Sequence, residues 1–85
     1  MQAADFDLFL RESTIESPQA QTTLGRESLY GLYLSWCSIT GNIAGSERTF
    51  WAAMKTRISS TRNNNLRMTG PAAIDYLLMS RSALV

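Results

Sequence analysis

The stretch Gly45-Ser-Glu-Arg-Thr-Phe-Trp-Ala-Ala-Met-Lys-Thr-Arg-Ile58 is the part of the chain from which the fold is read. Ser46 is a natural N-cap, because its hydroxyl can accept from a first-turn amide that has no intrahelical partner. Glu47 complements the positive end of the helix. Phe50, Ala53, Met54 and Ile58 recur at three- and four-residue spacing, so the pattern predicts a helix over 46–58 with one face in a core. On a helix the opposite face collects Arg48, Thr49, Ala52, Lys55 and Thr56, which are basic, small or hydroxylic. Such a face suits a phosphate backbone, and it also suits plain solvation. Trp51 falls between the two faces.

Immediately upstream lies the strongest periodic signal of the chain. Leu29, Leu32, Tyr33, Trp36 and Cys37 follow helical spacing and predict a central helix over 26–40. Thr23 or Gly25 can cap its start, and Gly41-Asn42 is a natural stop because both residues tolerate a left-handed backbone. Tyr30 and Leu34 fall off the main stripe, which predicts contacts on two sides of this helix. A short connector, Gly41 to Gly45, then leads into the basic helix. Two helices joined by a short Gly-containing turn, the second exposing cations, outline a helix-turn-helix.

Downstream, Ser59 to Thr69 is polar, contains the run Asn63-Asn64-Asn65, and carries Arg62 and Arg67. The asparagines suit a chain reversal, and the stretch is read as a small hairpin, a wing, with Leu66 and Met68 on one face. Pro71 then stands near the start of a last helix over 71–82, where its missing N–H costs nothing. Ile74, Leu77 and Leu78 are its expected core face. Before all of this, Phe6, Phe9 and Leu10 mark a short first helix over 5–12 that must dock on something C-terminal. Ser13 to Gly25, with Ser17-Pro18, reads as a loop. The expected fold is mainly α with a small β-hairpin wing: a single winged helix-turn-helix domain over 1–85 with about four helices.

Composition narrows the chemistry. The chain has 85 residues, enough for one modest core, and a net charge of only +1. The distribution of charge says more. Residues 1–27 hold five acids against two arginines, whereas residues 48–67 hold Arg48, Lys55, Arg57, Arg62 and Arg67 with no acid. That local clustering points to one basic surface. With no histidine and one cysteine, neither an internal disulfide nor the usual zinc ligand set can be assembled. Cys37 as a nucleophile would lack a histidine to activate it, and its place on the apolar stripe favours a buried thiol. Tyr33 and Trp36 can be read as base-stacking platforms, but aromatics on a helical stripe fit a core better. No phosphate-binding glycine loop and no nucleophile elbow occurs. No enzymatic activity, cofactor, metal or membrane span is expected, and a cytoplasmic location is the plain expectation.

The residues Leu29-Tyr30, Tyr33 and Trp36-Cys37, followed by Ser46-x-Arg48-x-Phe50, resemble a known pattern. The chain looks like the winged-helix domain at the C-terminal end of phage, plasmid and poxvirus primase-helicases, which follows a superfamily 3 helicase core. The Phe6 to Leu10 segment resembles the apolar helix preceding that pattern, and Gly70 to Tyr76 resembles the ending of versions from actinobacterial phages and prophages. The resemblance implies an accessory DNA-binding role in replication, in phage or bacterial host cytoplasm, with parent helicase-primase domains as partners. It places Arg48 near the start of a recognition helix and Phe50 in the core.

Arg48, Thr49, Lys55, Thr56, Arg57, Arg62, Asn63 and Arg67 are thus the expected DNA-binding residues. Two alternatives stay open: a helical protein-docking module, motivated by the surplus apolar residues Tyr30, Leu34, Trp51 and Met79, and a small phage DNA-binding regulator.

Overall fold

The computed structural model describes residues 5–16, 24–58 and 65–82, with the side chains of the last two residues left out. In chain order the elements are α1 (Phe6–Ser13), β1 (Thr14–Glu16), α2 (Arg26–Thr40), α3 (Glu47–Met54), β2 (Leu66–Met68) and α4 (Gly70–Ser82). The described residues are mainly helical, with four helices and one small antiparallel sheet, a winged helix-like architecture.

The helix ends follow the local chemistry. Asp5 caps α1, its carboxylate accepting from the amides of Asp7 and Leu8 at 3.0 and 3.1 Å. The Ser46 hydroxyl caps α3 by accepting from the Thr49 amide at 3.2 Å. Gly25 is the N-cap of α2 and supplies no side-chain bond, and Gly41 closes that helix at φ 76°, ψ 17°. That left-handed conformation is why the stop falls on glycine.

The expected basic helix is shorter than 46–58. It ends at Met54, where Lys55 still has helical angles but Thr56 and Arg57 form a tight turn. The Ala53 carbonyl accepts the Thr56 hydroxyl at 3.0 Å and an Arg57 guanidinium N–H at 2.9 Å. A β-branched residue bonding back to the preceding turn favours ending the helix there.

The expected loop Ser13 to Gly25 also needs correction, because β1 occupies its start. Thr14, Ile15 and Glu16 pair with Met68, Arg67 and Leu66 in an antiparallel register, and the Thr69 amide extends the ladder to the Ser13 carbonyl at 2.8 Å. The strand expected to belong to a local hairpin therefore pairs, within the described residues, with a segment about fifty positions upstream. Leu66 and Met68 do share the half-buried face, and Arg67 points outward. Residues 59–64, with Arg62 and Asn63, lie outside the described residues.

The core sits between α1, α2 and α3. Phe9, Leu29, Leu32, Tyr33, Trp36, Phe50 and Met54 are buried, and each large apolar side chain removed from water contributes roughly 1.5–3 kcal/mol. Phe50 is its hub, with Tyr33 stacked at 4.7 Å between ring centroids and Tyr30, Phe9 and Trp51 edge-on at 5.3, 6.0 and 4.9 Å. Trp36 satisfies its buried indole N–H by donating to Glu12 Oε1 at 2.9 Å. Tyr33 and Trp36 are thus core residues.

The helix α4 packs on α2 and α1 and adds to the same core, and its orientation reverses the expected one. Ala72 and Ala73 are buried, with Tyr76 packed beside them, whereas Ile74, Leu77 and Leu78 are 62, 52 and 60 % exposed. The reason is close approach at small residues. A Cβ on Gly31 of α2 would lie 2.4 Å from the Tyr76 ring, so the helices meet where glycine and alanines leave room. Gly70, at φ +79°, starts α4 with its Cα against the Glu12 backbone, where an added Cβ would be 2.7 Å from the carbonyl oxygen.

Candidate nucleic-acid interface

With Phe50 and Met54 inserted into the core, α3 must turn its other side outward. That side presents Glu47, Arg48, Trp51, Ala52 and, through its helical backbone, Lys55. These residues, together with Arg26 from the first turn of α2, line an open groove of about 530 Å³. Two of the expected DNA-binding residues, Arg48 and Lys55, therefore meet in one place.

Arg26 is the residue that sequence reasoning missed. Its guanidinium carbon sits 4.5 Å from the centroid of the Trp51 ring, a cation–π arrangement. The indole N–H donates to Glu47 Oε2 at 3.3 Å, one helical turn back. Trp51 thus bridges the two faces of α3: its edge packs on Phe50, and its remaining surface forms the wall of the groove. Nothing in the local sequence joins Arg26 to Trp51, since 25 residues separate them and only the α2–α3 crossing brings them together.

The groove is cationic. Arg26, Arg48 and Lys55 stand against the single carboxylate of Glu47, and none of the three cations has a carboxylate within ion-pair distance among the described residues. Unpaired cations lining a concave surface raise the local concentration of an anionic ligand.

The other expected residues are placed differently. Thr49 is exposed beside the cap, its hydroxyl oxygen accepting from the Ser46 hydroxyl at 3.0 Å, which leaves its own proton free to donate. Thr56 is exposed, with its hydroxyl spent on the Ala53 carbonyl. Arg57 turns away from Arg48 and Lys55: its Nε donates to Asp7 Oδ1 at 2.8 Å, its guanidinium lies 5.7 Å from the Phe6 ring centroid, and it lines a separate hollow with Leu10, Thr14 and Leu66. It ties the end of α3 to α1. Arg67 is exposed at the middle of β2, opposite Ile15.

The turn that sets α3 against α2 is held by two tyrosines. Tyr33 Oη accepts from the Gly45 amide at 2.8 Å, and Tyr30 Oη donates to the Gly45 carbonyl at 3.2 Å. Cys37, one turn after Tyr33, is a buried free thiol, and burial raises its pKa, against which a hydrogen bond from Tyr33 pulls down. A thiol held protonated is a poor nucleophile. Among the described residues no cluster of histidine, cysteine, aspartate or glutamate could hold a metal ion, and no helix is long and apolar enough to cross a membrane. Comparison with protein-family models, curated proteins and solved structures gives no match for this chain.

Proposed function

We propose that this domain is a DNA-binding winged-helix module whose α3 face meets the phosphate backbone, accessory to a phage or mobile-element primase-helicase in DNA replication. The observation that carries the DNA-binding part is the convergence of Arg48 and Lys55 with Arg26 on the exposed side of a helix that is the second of a helix-turn-helix pair. The replication context rests on the resemblance of Tyr30, Tyr33, Trp36-Cys37 and Ser46-x-Arg48-x-Phe50 to the primase-helicase domain. Thr49, and the arginines at 57, 62 and 67 with Asn63 and Thr56, belong to the wider expected surface; of these, Thr49 and Arg67 are exposed with donors free to reach phosphates.

The direct test is a titration of labelled duplex DNA with the wild-type chain and the double variant Arg48→Ala/Lys55→Ala. Loss of two phosphate contacts lowers the dependence of log affinity on log salt by about 1.8, at roughly 0.9 per phosphate. A variant that binds as tightly and as salt-dependently as the wild type removes these residues from the interface.

A second reading is favoured by α4. Ile74, Leu77 and Leu78 form an exposed apolar stripe, the kind of surface through which a docking module meets another protein. Analytical ultracentrifugation separates the two: a DNA-binding monomer keeps its mass on concentration, and a self-docking module gains mass without DNA.

A further inference from the structure

A helix that only tracks a duplex backbone needs cations and hydroxyls; it does not need an indole in the middle of its exposed face. Trp51 is half-buried there, with Arg26 held 4.5 Å from its ring centroid and its N–H committed to Glu47. Arg48 and Lys55 flank it, and the groove of about 530 Å³ is large enough for a nucleotide-sized ligand, which sites of roughly 300–1,000 Å³ accommodate. The combination of an aromatic–guanidinium pair with further cations beside it is the chemistry that recognises an unpaired nucleotide: a guanidinium plane, backed by the indole, on which a base stacks and positive charge for the phosphates on either side.

Resting on the DNA-binding reading, we propose that the groove around Trp51 is a site for single-stranded DNA, in which an unpaired base stacks against the Arg26–Trp51 pair while its flanking phosphates lie on Arg48 and Lys55. Glu47 is the one acid of the groove, and its bond to the indole N–H keeps the ring's orientation set. Arg26 opens α2, a 15-residue helix whose cap, Gly25, offers no side-chain acceptor and whose first turn also carries Glu27. The site therefore favours the unpaired arm of a forked substrate over a blunt duplex.

Intrinsic fluorescence reads this directly. Trp36 is 1 % exposed in the core, so Trp51 is the tryptophan that a stacking base can quench. The wild-type chain is titrated with oligo-dT, with the same oligomer carrying abasic residues at its centre, and with a blunt hairpin duplex of equal charge. Saturable quenching of the wild type by oligo-dT is expected, and the anisotropy of labelled DNA reads the variants: the abasic residues, Arg26→Gln and Trp51→Leu each weaken oligo-dT binding about tenfold, whereas Trp51→Leu changes duplex binding less than about threefold and Arg26→Gln, which removes a groove cation, weakens duplex binding less than oligo-dT binding. Arg26→Gln alters an exposed side chain and keeps the test valid if Trp51→Leu disturbs folding. Equal effects on oligo-dT and duplex, or no loss with abasic residues, overturn the stacking site while the DNA-binding reading stands. Absence of binding to any of the three DNAs overturns the DNA-binding reading itself.

Discussion

Tyr33 Oη accepts a hydrogen bond from the Gly45 amide at 2.8 Å, joining the middle of α2 to the residue just before the α3 cap. The phenol is fully buried and stacked on Phe50, so one side chain holds both the turn and the core side of α3. Tyr33→Phe keeps the stack and leaves a backbone donor unsatisfied, which costs about 1–2 kcal/mol in a urea unfolding measurement. Because the orientation of α3 depends on that bond, the same variant also weakens DNA binding without removing any charge. Unchanged stability would show that the turn is held by other contacts.

The two buried acids of α2 give a pH dependence. Burial is the main cause raising the Tyr33 phenol above its ordinary 10.0 and the Cys37 thiol above its ordinary 9.0. The folded chain then holds these protons more tightly than the unfolded one. The contribution is fully present below the ordinary values and is lost as pH rises through them toward the raised folded values. The urea midpoint should therefore stay level through neutral pH and fall above about pH 9, with a shallower fall in Cys37→Ala. An alkaline slope identical in the two proteins would exclude Cys37 as a contributor.

Most of the helical framework was legible because its signals are local. The α2 stripe, the Ser46 cap and the Gly41 stop each lie within one element, and the structure has them where the periodicity and capping rules put them. Three features were not, each because its partner is remote. Strand β1 is three residues long and is defined by β2, fifty positions later. The Arg26–Trp51 pair depends on how α2 crosses α3. The buried face of α4 does not follow residue size, because Gly31, Ala72 and Ala73 allow the closer helix packing and leave Ile74, Leu77 and Leu78 outside.

That reversal predicts an inverted pattern of mutational cost along α4. Leu77→Gln and Leu78→Gln, at exposed positions, change stability by within about 0.5 kcal/mol each. Ala73→Leu, at 6 % exposure, forces added volume against α2 and costs about 1–3 kcal/mol. Thermal or urea unfolding of the three variants decides between the two faces, and large losses from the glutamine variants would put Leu77 and Leu78 in the core.

Arg57 separates structural from interfacial cations. Its partners are Asp7, the Phe6 ring and the Ala53 carbonyl, not the groove. Arg57→Ala loses a partly exposed ion pair worth about 1 kcal/mol or less and leaves the salt dependence of DNA binding as in the wild type. A drop in that dependence would place Arg57 on the DNA after all.

The salt dependence of DNA affinity in wild type and Arg48→Ala/Lys55→Ala is the direct test of an α3 face that meets phosphates. The prediction is measurable binding at low salt, with a log–log slope lower by about 1.8 in the variant. Equal slopes, or no binding by the wild-type chain to duplex or single-stranded DNA, would contradict it.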